Sequence, residues 1–302
     1  MEKGRFAPSP TGRMHLGNLF CALLSWLSVK SRGGEWLLRI EDIDPGRSRQ
    51  EYADLLMDDL AWLGLEWDGE PVYQSQRTDI YTHYYNILQQ QGLTYPCYCT
   101  RADLLASQAP HESDGRVVYP GTCRNLPPLP PQSGRIGATR LIVPDRDIPF
   151  TDGHYGDCAV NLAHHVGDFI IRRKDGAWAY QLAVVVDDAL MGVTEVVRGR
   201  DLLLSSPQQM YVAQLLGFPS PRFIHLPLLC NTEGQRLSKR DQSLDMSHLR
   251  QRFTAPQILG HLAHLAGLTP TSDAVSTKEL LPAFSWDKVP HEDITVASET
   301  FE

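Results

Sequence analysis

Three short stretches hold residue types that do chemistry when a fold brings them together. The first is "RFAPSPTGRMHLGN", Arg5 to Asn18, where a proline-stiffened loop delivers His15 two residues ahead of Gly17 at the start of an apolar run. A helix beginning there offers backbone N–H groups and the positive end of its dipole to a phosphate, and His15 can donate to the same anion. Gly17, lacking a Cβ, lets a flat ring approach the backbone. The same residues also suit a stiff turn with a surface histidine, so this stretch alone leaves both readings open. The second is "RLSKR", Arg236 to Arg240, which follows an apolar run. A lysine there is a mobile point charge suited to a developing pyrophosphate, or else part of a solvated charge run. The third is Cys97-x-Cys99 with Cys123, three thiols crowded into one segment. The opening residues run into prolines instead of the apolar core of a secretory signal, and in such a chain crowded cysteines favour a metal over disulfides. Reduced thiols in a loop are the alternative.

These groups need a scaffold, and the chain of 302 residues is long enough for one large domain or two ordinary ones. With 42% hydrophobic and 21% charged residues it can bury a sizeable core, and no apolar run approaches a membrane span. A cytoplasmic, soluble protein is expected. The net charge of -8 argues against extended non-specific nucleic-acid binding but allows a local basic face, for which "IIRRKDG" and "GQRLSKRD" are candidates. Cys21 and Cys230 have apolar neighbours that suit core thiols.

The periodicity predicts alternation. "NLFCALLSWLSVKSRGG" reads as a buried helix stopped by Gly33-Gly34, and "EWLLRI" as a strand. Ser48 with Glu51 predicts a capping box, and Tyr52, Leu55, Leu56, Leu60 and Leu63 repeat at helical spacing. A further helix is expected from about Asp79 to Gly92. From about Tyr95 to Gly137 the pattern breaks, and "DFIIRRKDGAWAYQL" carries a hairpin signal at Asp175-Gly176. "GVTEVVRG" and "FIHLPLL" then read as strands around a helix that opens at Ser206-Pro207 and ends at Gly217. "PQILGHLAHLAG" and "TKELLPAFSW" are helical patterns, and the polar end "HEDITVASETFE" is expected to fray. Strand-helix alternation implies an α/β fold with a doubly wound parallel sheet, interrupted by an inserted subdomain.

"PSPTGRMHLGN" resembles the HIGH signature of class I aminoacyl-tRNA synthetases, and "RLSKR" resembles their KMSKS loop. "RFAPSPTG", "LLRIEDID", "VVVDDALMGVTEVVRGRD" and "IHLPLL" narrow this to the glutamyl-tRNA synthetase catalytic core, over about residues 4 to 290. The signature's second histidine is Asn18, and Leu237 replaces the loop's methionine; neither change removes the chemistry. The resemblance implies a Rossmann-type core, in halves 1–94 and 186–240, around an acceptor-type insertion at 95–185, followed by a short helical region at 241–302. It implies attack of a glutamate carboxylate on the α-phosphorus of ATP, giving an acyl-adenylate, with positioning and charge stabilisation as the protein's contribution. His15, Asn18, Ser238 and Lys239 are matched to the phosphates and Gly17 to the adenine, with Mg²⁺ accompanying ATP. Arg5 and Arg198 are matched to carboxylates of L-glutamate and Glu41 to its ammonium, with Ala7, Ser9 and Tyr180 in neighbouring pocket positions. For the thiols it implies Zn²⁺, with Tyr119 as fourth ligand, although His111 or Asp114 could substitute.

Only 62 residues follow Arg240, too few for a full helical anticodon-binding domain. The chain therefore resembles the truncated paralogues of this family, which activate glutamate without tRNA. They transfer it to queuosine at the wobble position of tRNA(Asp), through the anticodon stem-loop. A monomer is expected. An ordinary synthetase core charging a tRNA 3′ end, an inactive RNA-binding paralogue and a small-molecule nucleotidyltransferase are the competing readings. Intact His15, Lys239 and Glu41 count against the silent paralogue, and the glutamate-pocket text against the nucleotidyltransferase.

Overall fold

The computed structural model describes residues 1–106, 118–127, 134–237 and 244–297. The chain starts with β1 (Lys3–Phe6), α1 (Leu16–Lys30), β2 (Glu35–Ile40), α2 (Gln50–Trp62), β3 (Val72–Tyr73) and α3 (Thr78–Gln90). It then departs through β4 (Thr94–Cys97), α4 (Arg101–Ala106), β5 (Ala138–Leu141), β6 (Asp147–Asp152), β7 (Gly156–Asn161), α5 (Leu162–His165), β8 (Phe169–Arg172) and α6 (Tyr180–Leu190). Alternation resumes in β9 (Glu195–Gly199), α7 (Ser205–Leu216), β10 (Arg222–Leu226) and β11 (Leu229–Cys230), and the chain closes with α8 (Met246–Arg252), α9 (Ala255–Leu265), α10 (Thr277–Leu280) and β12 (Ile294–Thr295).

Five parallel strands form the central sheet in the order β10-β9-β1-β2-β3. The chain winds one way from β1 and the other way from β9, so the loops leaving these two strands diverge and open a crevice at their carboxyl ends. β1 is short and its last three residues are buried, as a central parallel strand requires. α1 is apolar nearly all round, with Leu16, Leu19, Leu23, Leu24 and Leu27 buried, because it is covered by the sheet on one side and by the C-terminal helices on the other. The interruption forms its own layers: β4-β5-β8 is a separate antiparallel sheet, and β6-β7 is a hairpin packed beside β10.

Several local expectations change. α2 starts after Arg49 with no side-chain cap, and Ser48 Oγ is buried without a hydrogen-bond partner, so the expected Ser48–Glu51 capping box does not form. The turn at Asp175-Gly176 exists, but its second arm is a single bridge, Arg172 to Trp178, before helix α6 takes over at Tyr180. "TKELLPAFSW" yields one α-helical turn followed by 3₁₀ turns, since Pro282 cannot continue the ladder. The end is not frayed up to residue 297: β12 pairs with β11, and Asp293 accepts from Leu228 N at 2.8 Å and from Arg200 Nε at 2.6 Å. His111, Asp114, Ser238 and Lys239 lie outside the described residues.

Candidate active site

The carboxyl ends of β1, β2, β9 and β10 open into a cavity of about 180 Å³. Arg5 and Ala7 enter it from the β1 side, Glu41 from the residue after β2, Arg198 from β9, Tyr180 from the first turn of α6, and His15, Gly17 and Asn18 from the start of α1. Ser9 does not line it. Ser9 lines an adjoining cavity of about 310 Å³, which shares Glu41 and Tyr180 with the first. Arg236 and Leu237 line the first cavity, Asp245 bridges to His15, and Met246 N donates to Met14 O at 2.9 Å.

His15 is the N-cap of α1. Its Nδ1 accepts from Gly17 N at 3.2 Å, and Asn18 Oδ1 accepts from His15 N at 3.2 Å, a reciprocal cap. Nδ1 is thereby an acceptor, and the ring proton belongs on Nε2, a donor. A Cβ on Gly17 would sit 3.2 Å from the imidazole, so glycine is what lets the ring fold over the helix start. Cys21 also lines the cavity, but burial pushes its thiol up to about 11, which makes it a poor nucleophile.

The charged walls are of two kinds. On one, Arg5 Nε lies 3.4 Å from Asp188 Oδ1, and the fully buried Arg39 donates to Asp188 Oδ1 at 2.5 Å and to Glu41 Oε1 at 3.2 Å. Burial alone would raise the Asp188 carboxyl, yet Arg39 and Arg5 hold it below the usual range. For Glu41 burial outweighs the pull of the same two arginines, and its carboxyl is raised. Beneath them Asp187 accepts from Gln74, Arg77 and Tyr81 at 2.6 to 2.7 Å. On the other wall Arg198 donates to His225 Nε2 (3.1 Å), Tyr180 Oη (3.4 Å), Gln209 Oε1 (2.8 Å) and Ser206 Oγ (2.6 Å), none of them a carboxylate. Burial lowers the Arg198 guanidinium from its ordinary value.

Away from this cavity, the Sγ atoms of Cys97, Cys99 and Cys123 all lie within 4.8 Å of one another, Cys99 and Cys123 being 3.6 Å apart. A tetrahedral zinc with bonds of about 2.3 Å needs sulfurs about 3.8 Å apart, so the three thiols fit such an ion. Tyr119 Oη lies 3.4 Å from Cys97 Sγ and 4.0 Å from Cys99 Sγ, and accepts from Cys123 N at 2.8 Å. Arg140 stands over the Tyr119 ring at 3.6 Å. Gly167 pairs with Tyr119 so closely that a Cβ there would meet Tyr119 O at 2.3 Å, which fixes this loop against the residues before β8.

Residues 3–299 match the family model of class I tRNA synthetases (E and Q), catalytic domain. The chain is 45% identical to the glutamyl-Q tRNA(Asp) synthetase of Symbiobacterium thermophilum, over 98% of this chain and 96% of that one. It is 44% identical to the glutamyl-Q tRNA(Asp) synthetase of Nitratidesulfovibrio vulgaris, over 100% and 98%. This chain belongs to the glutamyl-Q tRNA(Asp) synthetase family of class I tRNA synthetases. Membership of that family makes it a ligase-type enzyme. The family's core is also seen in the crystal structure of a glutamate tRNA ligase from Elizabethkingia meningosepticum in complex with its amino acid. That structure matches with a TM-score of 0.84 at 28% identity, over 99% of this chain and 68% of that one.

Sequence reasoning missed Arg39, Asp187 and Asp188 beneath the site of this family member, and the Asp152–His225 pair behind Arg198. A signal existed for most of them. Arg39 stands inside the apolar strand "EWLLRI", the two aspartates inside "QLAVVVDDAL", and His225 inside "FIHLPLL". A charge placed in a buried run must be paired, so each announced a partner without naming it.

Proposed function

We propose that this chain activates L-glutamate with ATP as glutamyl-adenylate, without tRNA, and passes the glutamyl group to queuosine at the wobble position of tRNA(Asp). The observation that carries the reading is the Arg198 wall, a buried guanidinium hydrogen-bonded to no carboxylate among the described residues, facing a cavity that also holds Arg5 and Glu41. The relatives' names support the acceptor.

In this reading Arg198 and Arg5 form charge-assisted bonds to the carboxylates of glutamate and Glu41 takes its ammonium, with Ala7 and Tyr180 shaping the pocket. Ser9 acts from the adjoining cavity, through the shared Glu41 and Tyr180 walls. The α1 N-terminus, His15 Nε2, the Asn18 amide, Ser238 and Lys239 receive the phosphates of ATP, and Gly17 lies under the adenine. A carboxylate oxygen of glutamate attacks the α-phosphorus and pyrophosphate leaves. A hydroxyl of the cyclopentene-diol of queuosine then attacks the acyl carbon, AMP leaves, and an ester remains. The protein holds the reactants in line and balances charge, and no covalent enzyme intermediate is needed. Mg²⁺ accompanies ATP. Zn²⁺ sits on Cys97, Cys99 and Cys123 with Tyr119 as fourth partner, and stiffens the insertion. The enzyme works as a cytoplasmic monomer, its core halves at 1–94 and 186–240, its insertion at 95–185 and its helical end at 241–302.

Radiolabelled glutamate is expected to join an isolated anticodon stem-loop of tRNA(Asp) containing queuosine, and mild base is expected to release it. Labelling of tRNA(Glu) at its 3′ end, with none on the queuosine stem-loop, would overturn the acceptor. Glutamate-dependent ATP–pyrophosphate exchange that needs added tRNA would overturn tRNA-independent activation.

A further inference from the structure

Behind Arg198 runs a chain of contacts that the proposed reaction does not itself use. Arg198 Nε donates to His225 Nε2 at 3.1 Å, and His225 Nδ1 lies 2.6 Å from Asp152 Oδ2, with ring and carboxylate fully buried. An arginine N–H can only donate, so Nε2 is an acceptor and the ring proton belongs on Nδ1, where Asp152 receives it. Ser206 Oγ accepts from Arg198 Nη2 at 2.6 Å and lies 3.3 Å from the same Nε2, closing the frame. The other oxygen of Asp152 also holds backbone: its Oδ1 accepts from His154 N at 3.0 Å and Tyr155 N at 2.9 Å, in the turn between β6 and β7, and from His225 N at 3.3 Å.

We propose that Asp152 and His225 are positioning residues for glutamate recognition: Asp152 selects the His225 tautomer, and His225 Nε2 orients the Arg198 guanidinium toward the cavity. This rests on the reading that Arg198 takes a carboxylate of glutamate. The physical need is specific to this wall. A guanidinium beside a carboxylate is oriented by the ion pair, whereas among the described residues Arg198 stands over the Phe223 ring at 5.0 Å and is hydrogen-bonded only to uncharged acceptors whose lone pairs must point the right way. The wrong tautomer would set His225 Nε2–H against Arg198 Nε–H and push the guanidinium away. A carboxylate in direct contact would hold Arg198 equally well but would neutralise it. Placing Asp152 one imidazole away fixes the geometry and leaves the cation for the ligand.

Asp152→Asn keeps Oδ1 for the β6–β7 turn but presents an N–H to His225 Nδ1, driving the ring proton to Nε2. His225→Asn keeps a group near Nδ1 and loses the acceptor for Arg198, while His225→Gln puts an amide oxygen near the Nε2 position. With the full chain, calorimetry is expected to show glutamate binding weakened about ten- to a hundredfold in D152N and H225N, the range for a hydrogen bond to a charged group. H225Q should lose less than H225N, and ATP affinity should hold in all three. Long-range ¹H–¹⁵N NMR should report the Nδ1–H ring in the unaltered chain and the Nε2–H ring in D152N. A role confined to stability would lower melting temperature without separating H225N from H225Q, and that result would overturn the proposal. Should D152N not fold, the two His225 variants carry the test, since neither alters Asp152. Arg198→Lys separates the levels. If R198K loses glutamate while D152N and H225N bind it normally, the positioning role falls and the recognition reading stands; if R198K binds glutamate normally, both fall.

Discussion

The two arginine walls of the cavity solve opposite problems. Arg5 shares Asp188 with Arg39, and Arg39 also reaches Glu41, so the charges under that wall are balanced within the protein. Arg198 is as deeply buried, yet among the described residues its hydrogen bonds go only to uncharged acceptors, with the Phe223 ring beneath it, so no carboxylate there neutralises its charge. Burying an ion costs several kcal/mol, and a paired network recovers much of that cost by Coulomb attraction, while a frame of dipoles recovers less. The first wall is therefore a stiff foundation, and the second, in the proposed reading, is a binding surface whose cost is offset when an anion arrives. A buried arginine contributes to stability or to ligand affinity according to whether its counter-charge belongs to the protein.

The sharpest way to break this contrast is Arg39→Met, which leaves Asp188 with only the longer 3.4 Å contact to Arg5 and takes the Arg39 partner from Glu41. It is expected to destabilise the fold by about 3–5 kcal/mol in urea unfolding, the usual cost of removing one partner from a buried ion pair. An effect below about 1 kcal/mol, the ceiling for an exposed pair, would deny the foundation role. The thiol cluster extends the contrast, because there the counter-charge would be a metal. Protein purified without added metal is expected to contain about one zinc per chain, and Cys99→Ser to lose it. Unchanged zinc in C99S would place the ion elsewhere.

A smaller effect is expected from pH. Burial pushes the His225 imidazole below its ordinary value despite its bond to Asp152, and Arg198 and Asp201 are the other charges that act on it. The folded state thus prefers neutral His225. Its contribution is complete above the unfolded pKa of about 6.5 and is lost as pH falls from there through the lower folded value. Asp152, held below the usual carboxylate range against its burial by His225 and the turn amides, adds a loss of the same sign further down. Unfolding followed from pH 7 to 5 should show this slope flattened in His225→Gln; an identical slope would assign it to other groups. The smallest effect is expected at Lys3–Glu35, an ion pair at 2.6 Å with both side chains about a third exposed. Lys3→Ala should change stability by about 0.2–1 kcal/mol, which calibrates how little a solvated pair contributes beside Arg39.

Much of this architecture was legible in the residues. α1, β2, α3, β9, α7 and β10 fall where apolar periodicity and the Gly217 stop predict them, because each element buries a face whose pattern is local. The failures are also local competitions. Ser48 is the right residue type for a cap, but its own N–H, which the Glu51 side chain would have to reach, is already taken by Asp44 O at 2.9 Å, and the helix starts one position later than the box requires. The polar tail looked solvated because the partners of Asp293, Leu228 and Arg200, are distant in the chain. Ser9 lines the adjoining cavity, which shares Glu41 and Tyr180 with the first, because the turn after β1 carries it there.

The sequence by itself determined the α/β core and the family, since these depend on periodicity and on short motifs a few residues long. Only the tertiary structure decided which charges are paired within the protein and which are not. Asp152 and His225 are 73 residues apart, and Arg39 and Asp188 are 149 apart, so no local pattern links them. Ion pairing and tautomer choice are set by distances of a few ångströms, and the chain acquires those only when β1, β2, β6, β9, β10 and α6 pack around one crevice.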